Sequence, residues 1–302
     1  MPDIEPVGIC VIFNPAARGR KAEKLRGSLN ELALRCHLKP TSSAGEARDL
    51  AATAVREGFE TIVAAGGDGT VNEVLNGIGD EPHGFSKTRL GVLPLGTINV
   101  FARELTIPLS LEGAWKTILL SQEISIDLPK VEYTCKGNLK ARYFAQLAGA
   151  GLDSSAVENV SWALKKKIGA GAYIVAGVKA LQSRQPQIKA SNGVESVTGE
   201  MVLIGNGRFY GGNFVLFPKA DLRDGQLEVC VFPKVNWDIV CRAGIGLVTR
   251  NLLRFSGARE LRGTVITLTA DQKTFLQLDG ENVGELPARF SIEPKKLRVL
   301  VP

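Results

Sequence analysis

The sequence predicts two domains of unlike class: an α/β domain built on a parallel sheet with helices on both faces, then a mainly antiparallel β-sandwich. Three observations predict this. Apolar runs and helical patterns alternate through the first third of the chain, which is the βαβ signature of a parallel sheet. From Ile124 onward the pattern turns to two-residue alternation punctuated by glycine, as in a sandwich. The length of 302 residues suits two domains of roughly 150 residues each.

Each element has a local reason. Val7–Phe13 is a continuous apolar run, fit for a strand buried on both faces. Asn14-Pro15 stops it, and Arg20–Arg35 carries Leu25, Leu29 and Leu32 at helical spacing. A short strand is expected at His37–Pro40. Ser43, with Glu46 three residues on, reads as the start of a helix over Ala44–Glu57. Thr61–Ala65 is the next buried strand, Val71–Ile78 the next helix and Arg89–Leu93 another strand. Ile98–Leu105 and Leu111–Ser121 read as helices. Strands are then expected at 126–133, 141–148, 199–205, 226–232, 263–269, 274–278, 290–293 and 297–301. Long helical patterns cover 154–181 and 238–255. The expected division is 1–123 for the α/β domain and 124–287 for the β-rich domain, with the tail 288–302 returning to the first.

Composition excludes several classes. At 44% hydrophobic and 23% charged, the chain is neither disordered, collagenous nor a coiled coil. No uncharged, mostly apolar run reaches the roughly 20 residues a spanning helix needs. The acidic start, Met1-Pro-Asp-Ile-Glu, does not read as a secretory signal. The 5 cysteines are scattered and none is spaced C-x-x-C. Buried or free thiols in a reducing cytoplasm are therefore expected. Only two histidines exist, His37 and His83, so a His-rich zinc site is unavailable.

Charge is divided unevenly. Residues 1–123 hold 13 Lys/Arg against 15 Asp/Glu, whereas residues 124–302 hold 24 against 16. A surplus of +8 confined to the second part suits an anionic surface, or is a solvated basic face.

The most informative segment is Thr61-Ile-Val-Ala-Ala-Gly66-Gly67-Asp68-Gly69-Thr70-Val71-Asn72-Glu73. It is a strand, a glycine turn and a helix start. Glycines let backbone N–H groups approach a phosphate, and the helix N-terminus favours an anion. Thr70 and Glu73 also have capping-box spacing, so a well-capped turn without a ligand is the plain alternative. Asp68 tilts the balance, because a carboxylate beside a phosphate needs a cation or a proton to offset it. A second glycine turn follows: Leu93-Pro94-Leu95-Gly96-Thr97-Ile98-Asn99-Val100-Phe101-Ala102-Arg103. With the turn Asn14–Gly19, these would gather at the C-terminal edge of a parallel sheet, as in a nucleotide crevice. Neither a P-loop nor G-x-G-x-x-G is present.

In this order and spacing, N-P-x-x-x-G, G-G-D-G-T-x-N-E and L-P-L-G-T-x-N-x-F-A-R resemble the diacylglycerol kinase catalytic-domain family, which includes soluble bacterial lipid kinases and the sphingosine kinases. The likeness continues through Phe144–Asp153, Gly205–Gly212, Ala220–Val229 and Leu278–Glu281. It implies an NAD kinase/diacylglycerol kinase-like first domain and an ATP-dependent, Mg²⁺-dependent lipid kinase. ATP would be bound by Asn14, Thr41, Gly66, Gly67, Asp68, Gly69, Thr70, Asn72 and Thr97. Mg²⁺ would be held by Asp221, Asp224 and Gln226, the last by its backbone carbonyl. Glu281 would take the proton of the acceptor hydroxyl, with Asp68 the rival for that role. The plain alternative for Asp221, Asp224 and Asp279-Gly280-Glu281 is ordinary turns. Val100 departs from the Asp that many members carry there.

The acceptor implied is diacylglycerol or a related lipid alcohol, met at an anionic membrane surface by a cytoplasmic, peripherally associating enzyme. Val160–Lys179, with Trp162, Lys165–Lys167 and Tyr173, suits interfacial docking or a core helix. The rival functions are an NAD kinase-like enzyme and a catalytically silent nucleotide or lipid binder. No nucleic-acid-binding signature supports that class of partner. A homodimer is allowed by the sequence.

Overall fold

The computed structural model describes residues 8–15, 20–27, 35–120, 122–151, 185–249 and 256–302. The expected helix over 154–181, with its Lys165–Lys167 cluster, lies outside the described residues, as does the Arg18-Gly19 end of the first turn. The chain divides into two units. The first holds Met1–Leu128, Gly211–Asn213 and Pro294–Pro302; the second holds Pro129–Tyr210 and Phe214–Glu293. These limits differ from the expected 123/124 and 287/288 because two long strands, described below, run across both.

In the first unit, strands β1 (Ile9–Phe13), β2 (His37–Pro40), β3 (Thr61–Gly66) and β4 (Arg89–Pro94) form a parallel sheet in the order β2-β1-β3-β4. Their apolar runs are continuous because both faces are covered: Cys10, Val11, Ile12, Ile62, Val63 and Leu90 have no exposed surface. The helices are α1 (Arg20–Gly27), α2 (Glu46–Arg56), α3 (Asp68–Asp80), α4 (Gly84–Lys87), α5 (Val100–Glu104) and α6 (Leu111–Leu120).

Connection handedness places the helices. From β1 the chain moves one way to β2, then reverses to reach β3 and β4. Right-handed crossovers therefore put α1 on one face and α2 and α3 on the other. The packing agrees. Helix α2 lies against α3, where a Cβ on Gly77 would come within 2.1 Å of the Arg48 carbonyl oxygen. Helix α1 meets α6 through Lys24 and Glu112, 2.6 Å apart.

Two capping expectations are corrected. Helix α2 begins at Glu46, not Ala44, with Gly45 as its N-cap. Glu46 accepts bonds from Ser42 N and Oγ and from Ser43 N, so Ser43 is not the side-chain cap. Glu73 does not cap its own helix with Thr70. It reaches across to accept from Gly45 N (3.0 Å) and Ala47 N (3.1 Å), neutralising the N-terminus of α2.

The second unit contains β6 (Asn138–Tyr143), β7 (Leu147–Gly151), β8 (Ile188–Ser191), β9 (Ser196–Gly199), β10 (Met201–Gly205), β11 (Phe209–Tyr210), β12 (Phe214–Val215), β13 (Leu227–Phe232), α7 (Trp237–Val248), β14 (Arg259–Gly263), β15 (Val265–Ala270) and β16 (Phe275–Leu278). Strands β5 (Gln122–Cys135) and β17 (Glu281–Val301) begin or end in the first unit. Pairing is antiparallel between β5 and β6, among β7–β16 and along residues 281–291 of β17. One layer runs β14-β13-β10-β7-β16-β17 and the other β9-β8-β15-β17. Between them lies a core that includes Phe144, Ile188, Val202, Ile204, Val229, Ile266, Leu276 and Phe290.

Several expected strands divide. The span 141–148 becomes β6 and β7, broken at Phe144–Gln146, and 263–269 becomes β14 and β15. Strand β17 instead joins two expected strands. Its residues 281–285 pair with β16 and 288–291 with β15, and Val299 pairs with Leu90 of β4. Pro287, which lacks an N–H donor, falls between the residues paired with β16 and those paired with β15.

Candidate active site

The reversal of chain direction between β1 and β3 makes a topological switch point, where ligands of open α/β sheets bind at the carboxyl ends of the strands. Register places the expected residues there. Phe13 pairs with Pro40 and Ala65, and Gly66 with Pro94. Asn14, Thr41, the Gly66–Asn72 turn and Thr97 thus lie at one end of one sheet. Thr41 N donates to the Phe13 carbonyl at 2.8 Å, tying two of those loops together.

The two glycine turns touch. Leu95 N and Gly96 N donate to the Gly66 carbonyl at 2.9 and 3.3 Å. A Cβ on Gly96 would stand 2.6 Å from Gly67 Cα, and one on Gly66 would stand 2.2 Å from Thr70 Oγ1. Glycine is required at both positions by close approach. Asp68 opens α3, and its Oδ1 accepts from Phe101 N at 3.1 Å, fastening the start of α5 to the first turn. Asn72 is buried, and Asn76 Nδ2 donates to its carbonyl at 2.8 Å and to its Oδ1 at 3.2 Å. Thr97 is exposed at the mouth of the second turn.

Asn99 is a residue the sequence reading passed over. Its backbone is left-handed (φ 54°), its Nδ2 donates to the Gly96 carbonyl at 2.6 Å, and its buried Oδ1 has no hydrogen-bond partner. A buried polar atom without a partner costs free energy and marks a place where a ligand donor or water belongs. The left-handed Asn after Gly-Thr was the available signal. Glycine turns backed by a helix N-terminus fit a nucleotide phosphate chain, and the unsatisfied Asn99 acceptor beside them fits a ligand hydroxyl or amino donor.

In the second unit, Asp279-Gly280 is the two-residue turn of the β16–β17 hairpin, both residues at positive φ. The plain reading of that dipeptide as a turn therefore describes its backbone. Its carboxylate does more. Asp279 accepts from Ala145 N, Gln146 N and Leu147 N at 2.7, 3.0 and 3.0 Å. Asn206 binds the same stretch, its N–H donating to the Gln146 carbonyl and its Nδ2 to the Ala145 carbonyl. Three separated motifs thus meet at Ala145–Leu147 and interrupt β6–β7 there. Glu281 follows as the first residue of β17; its side chain is half-exposed, with Oε2 3.3 Å from Arg142 Nη2.

Asp221 and Asp224 lie on one turn. Asp221 Oδ1 accepts from Arg223 N and Asp224 Oδ1 from Gln226 N. Arg262 on β14 pairs with Asp224 and stands 2.8 Å from Glu228. Burial pushes the Glu228 carboxyl up, and Arg262 only partly opposes it. Two carboxylates and a backbone carbonyl are hard oxygen ligands of the kind Mg²⁺ takes, with water completing the shell. Such an ion would share Asp224 with Arg262. Among the described residues no three His, Cys, Asp or Glu side chains cluster as a metal site.

Comparison with known proteins also divides the chain in two. Residues 8–131 match the diacylglycerol kinase catalytic domain, and residues 146–301 match the YegS C-terminal NAD kinase beta sandwich-like domain. A "Probable lipid kinase YegS-like" of Pseudomonas aeruginosa is 35% identical over 266 residues, covering 85% of this chain and 82% of that one. The chain belongs to the diacylglycerol kinase/YegS-like family of lipid kinases. A "Diacylglycerol kinase" of Staphylococcus aureus is 31% identical over 270 residues, 87% of this chain and 81% of its own. The crystal structure of a diacylglycerol kinase from Bacillus anthracis superposes with a TM-score of 0.73 at 22% identity, over 97% and 96% of the two chains. This likeness carries the fold. This lipid kinase is therefore an enzyme whose family uses ATP as phosphate donor. Among the described residues, no helix is long and apolar enough to cross a membrane.

Proposed function

We propose that this lipid kinase transfers the γ-phosphoryl group of ATP to the hydroxyl of diacylglycerol or a closely related lipid alcohol, with Mg²⁺ and at an anionic membrane surface in the cytoplasm. The observation that carries the reading is the abutment of the Gly66–Gly67 and Gly96 turns at the switch point, with the buried Asn99 Oδ1 unsatisfied beside them.

The residues divide the work. Backbone N–H groups of Gly67, Gly69 and Thr70 bind phosphate oxygens, while Asn14, Thr41 and Thr97 bound the crevice. Asp68 ties the two turns together through Phe101, and Asn72 is fixed within α3 by Asn76. Asp221, Asp224 and the Gln226 carbonyl would hold Mg²⁺, which offsets phosphate charge when bound. The Glu281 carboxylate accepts the acceptor hydroxyl proton as the oxygen–phosphorus bond forms and the bond to the ADP oxygen breaks. Arg142 keeps that carboxylate in place. The basic surplus of residues 124–302 draws the enzyme to anionic lipid.

Glu281→Gln is the test. Turnover of a short-chain diacylglycerol should fall by roughly 10²–10⁴ while ATP binding is kept. Wild-type turnover in that variant would remove Glu281 from the proton-transfer role.

A further inference from the structure

Helix α7 is seated by one face and leaves a different apolar face uncovered. Ile239 packs against the cluster of Leu147, Leu203, Phe217 and Phe232, and Gly246 is buried on the same side. Trp237, Cys241 and Ile245 recur every four residues, so they form a second stripe. All three are exposed, Trp237 and Ile245 each at 51%. Strand β12, which packs against α7, adds Phe214. Of the eight large hydrophobic residues exposed among the described residues, three are on these two adjacent elements. Scattered exposed apolar residues are ordinary, but a grouped set with an aromatic anchor marks an interaction site.

The charges in this stretch of sequence select the occupant. Asp238 and Arg242 on the flank of the stripe neutralise each other at 2.8 Å. From residue 234 to 259 the sequence otherwise carries Lys234, Arg250, Arg254 and Arg259, with no further acid. An apolar helical face bearing Trp, within a basic segment, suits a bilayer interface with anionic headgroups. We propose that the Trp237–Cys241–Ile245 face of α7, extended by Phe214, docks this enzyme onto an anionic phospholipid bilayer. The proposal rests on the lipid-kinase reading for its occupant, since an acceptor carrying acyl chains is met at a bilayer.

The test uses the full chain and vesicles of equal parts phosphatidylglycerol and phosphatidylcholine, with pure phosphatidylcholine beside them. Wild type is compared by co-sedimentation with W237S/I245S, with the conservative W237F/I245L, and with L139S/V194S, which alters two exposed apolar residues elsewhere. Partition of W237S/I245S onto anionic vesicles should fall roughly 10-fold or more. W237F/I245L should recover most of it, and L139S/V194S should match wild type. In wild type, alkylation of Cys241 by a water-soluble maleimide should slow severalfold on anionic vesicles. That reading needs no apolar-to-polar variant and decides the matter if W237S/I245S melts early. Equal partition of wild type and W237S/I245S, or no protection of Cys241, overturns the proposal. Light scattering that shows wild type as a dimer split by W237S/I245S also overturns it, assigning the face to a second copy. Turnover of a water-soluble short-chain diacylglycerol should be unchanged in W237S/I245S. If wild type binds anionic vesicles through this face yet phosphorylates no lipid, the kinase assignment fails and the docking surface stands.

Discussion

Gly96→Ala puts one methyl group where the two glycine turns meet. The added Cβ would lie 2.6 Å from Gly67 Cα and 2.8 Å from Asn99 Oδ1. Carbon atoms in ordinary contact sit about 3.5–4.0 Å apart, so the turns must separate by about 1 Å. Backbone cannot rotate away as a flexible side chain could. Such overpacking costs about 1–3 kcal/mol. The Gly96 N–H bond to the Gly66 carbonyl, already 3.3 Å long, would be lost as well, at about 0.5–1.5 kcal/mol. A total near 2–3 kcal/mol should lower the midpoint of thermal unfolding by about 5–10 °C. The same displacement moves the N–H groups that face phosphate, so ATP affinity should fall by about 10-fold or more. Calorimetric melting and ATP titration measure the two effects. Gly27→Ala is the control, since nothing lies within 4 Å of the added methyl; it should leave ATP affinity unchanged and not lower stability, because alanine favours a helix over glycine by about 0.5–1 kcal/mol. Wild-type melting and ATP affinity in Gly96→Ala would refute the claim that the turns are packed against each other around a nucleotide site.

Other expectations follow from single contacts. Asp279→Asn keeps the shape of the side chain but turns an N–H₂ toward backbone donors, so it should cost about 2–4 kcal/mol in chemical denaturation. Asp68→Ala removes the acceptor for Phe101 N and should abolish turnover, with ATP affinity reporting the disturbed turn. Burial pushes the Cys10 and Cys230 thiols up to about 12 and Cys36 up to about 11. All three therefore stay protonated at pH 8, and exposed Cys241 should react first in a native thiol titration without lipid. Turnover on anionic vesicles should fall as salt is raised, because exposed charges are screened within about 10 Å at 0.1 M salt.

What the sequence disclosed depended on the range of the interaction. Apolar runs such as Val7–Phe13 and Thr61–Ala65 announced buried parallel strands, and glycine turns after them announced the edge where a ligand would bind. These signals are local. The role of Glu73 was not legible, because its partners, Gly45 and Ala47, are more than twenty residues away and only helix packing brings them close. Asp279 was legible as half of a turn, but not as the acceptor for three N–H groups more than a hundred residues earlier. Gln277 serves the same junction, and nothing in its immediate neighbours marks it for that role. Strand β17 continues through Pro287 and Pro294, and Pro287 falls between the residues paired with β16 and those paired with β15. The residues named for ATP came from motifs and gather by register. Those named for Mg²⁺ share a turn already countered by Arg262, which sits on another strand.

The central claim is that this chain moves a γ-phosphoryl group onto a lipid hydroxyl. Purified enzyme with ³²P-labelled ATP, Mg²⁺ and mixed vesicles of diacylglycerol in phosphatidylglycerol, run beside a panel of other lipid alcohols and NAD, reads it directly. The account predicts label in phosphatidic acid or a close phospholipid relative, none in NADP, and loss of that label in Glu281→Gln. Label in NADP alone, or inorganic phosphate released with no labelled lipid from any acceptor, would contradict it.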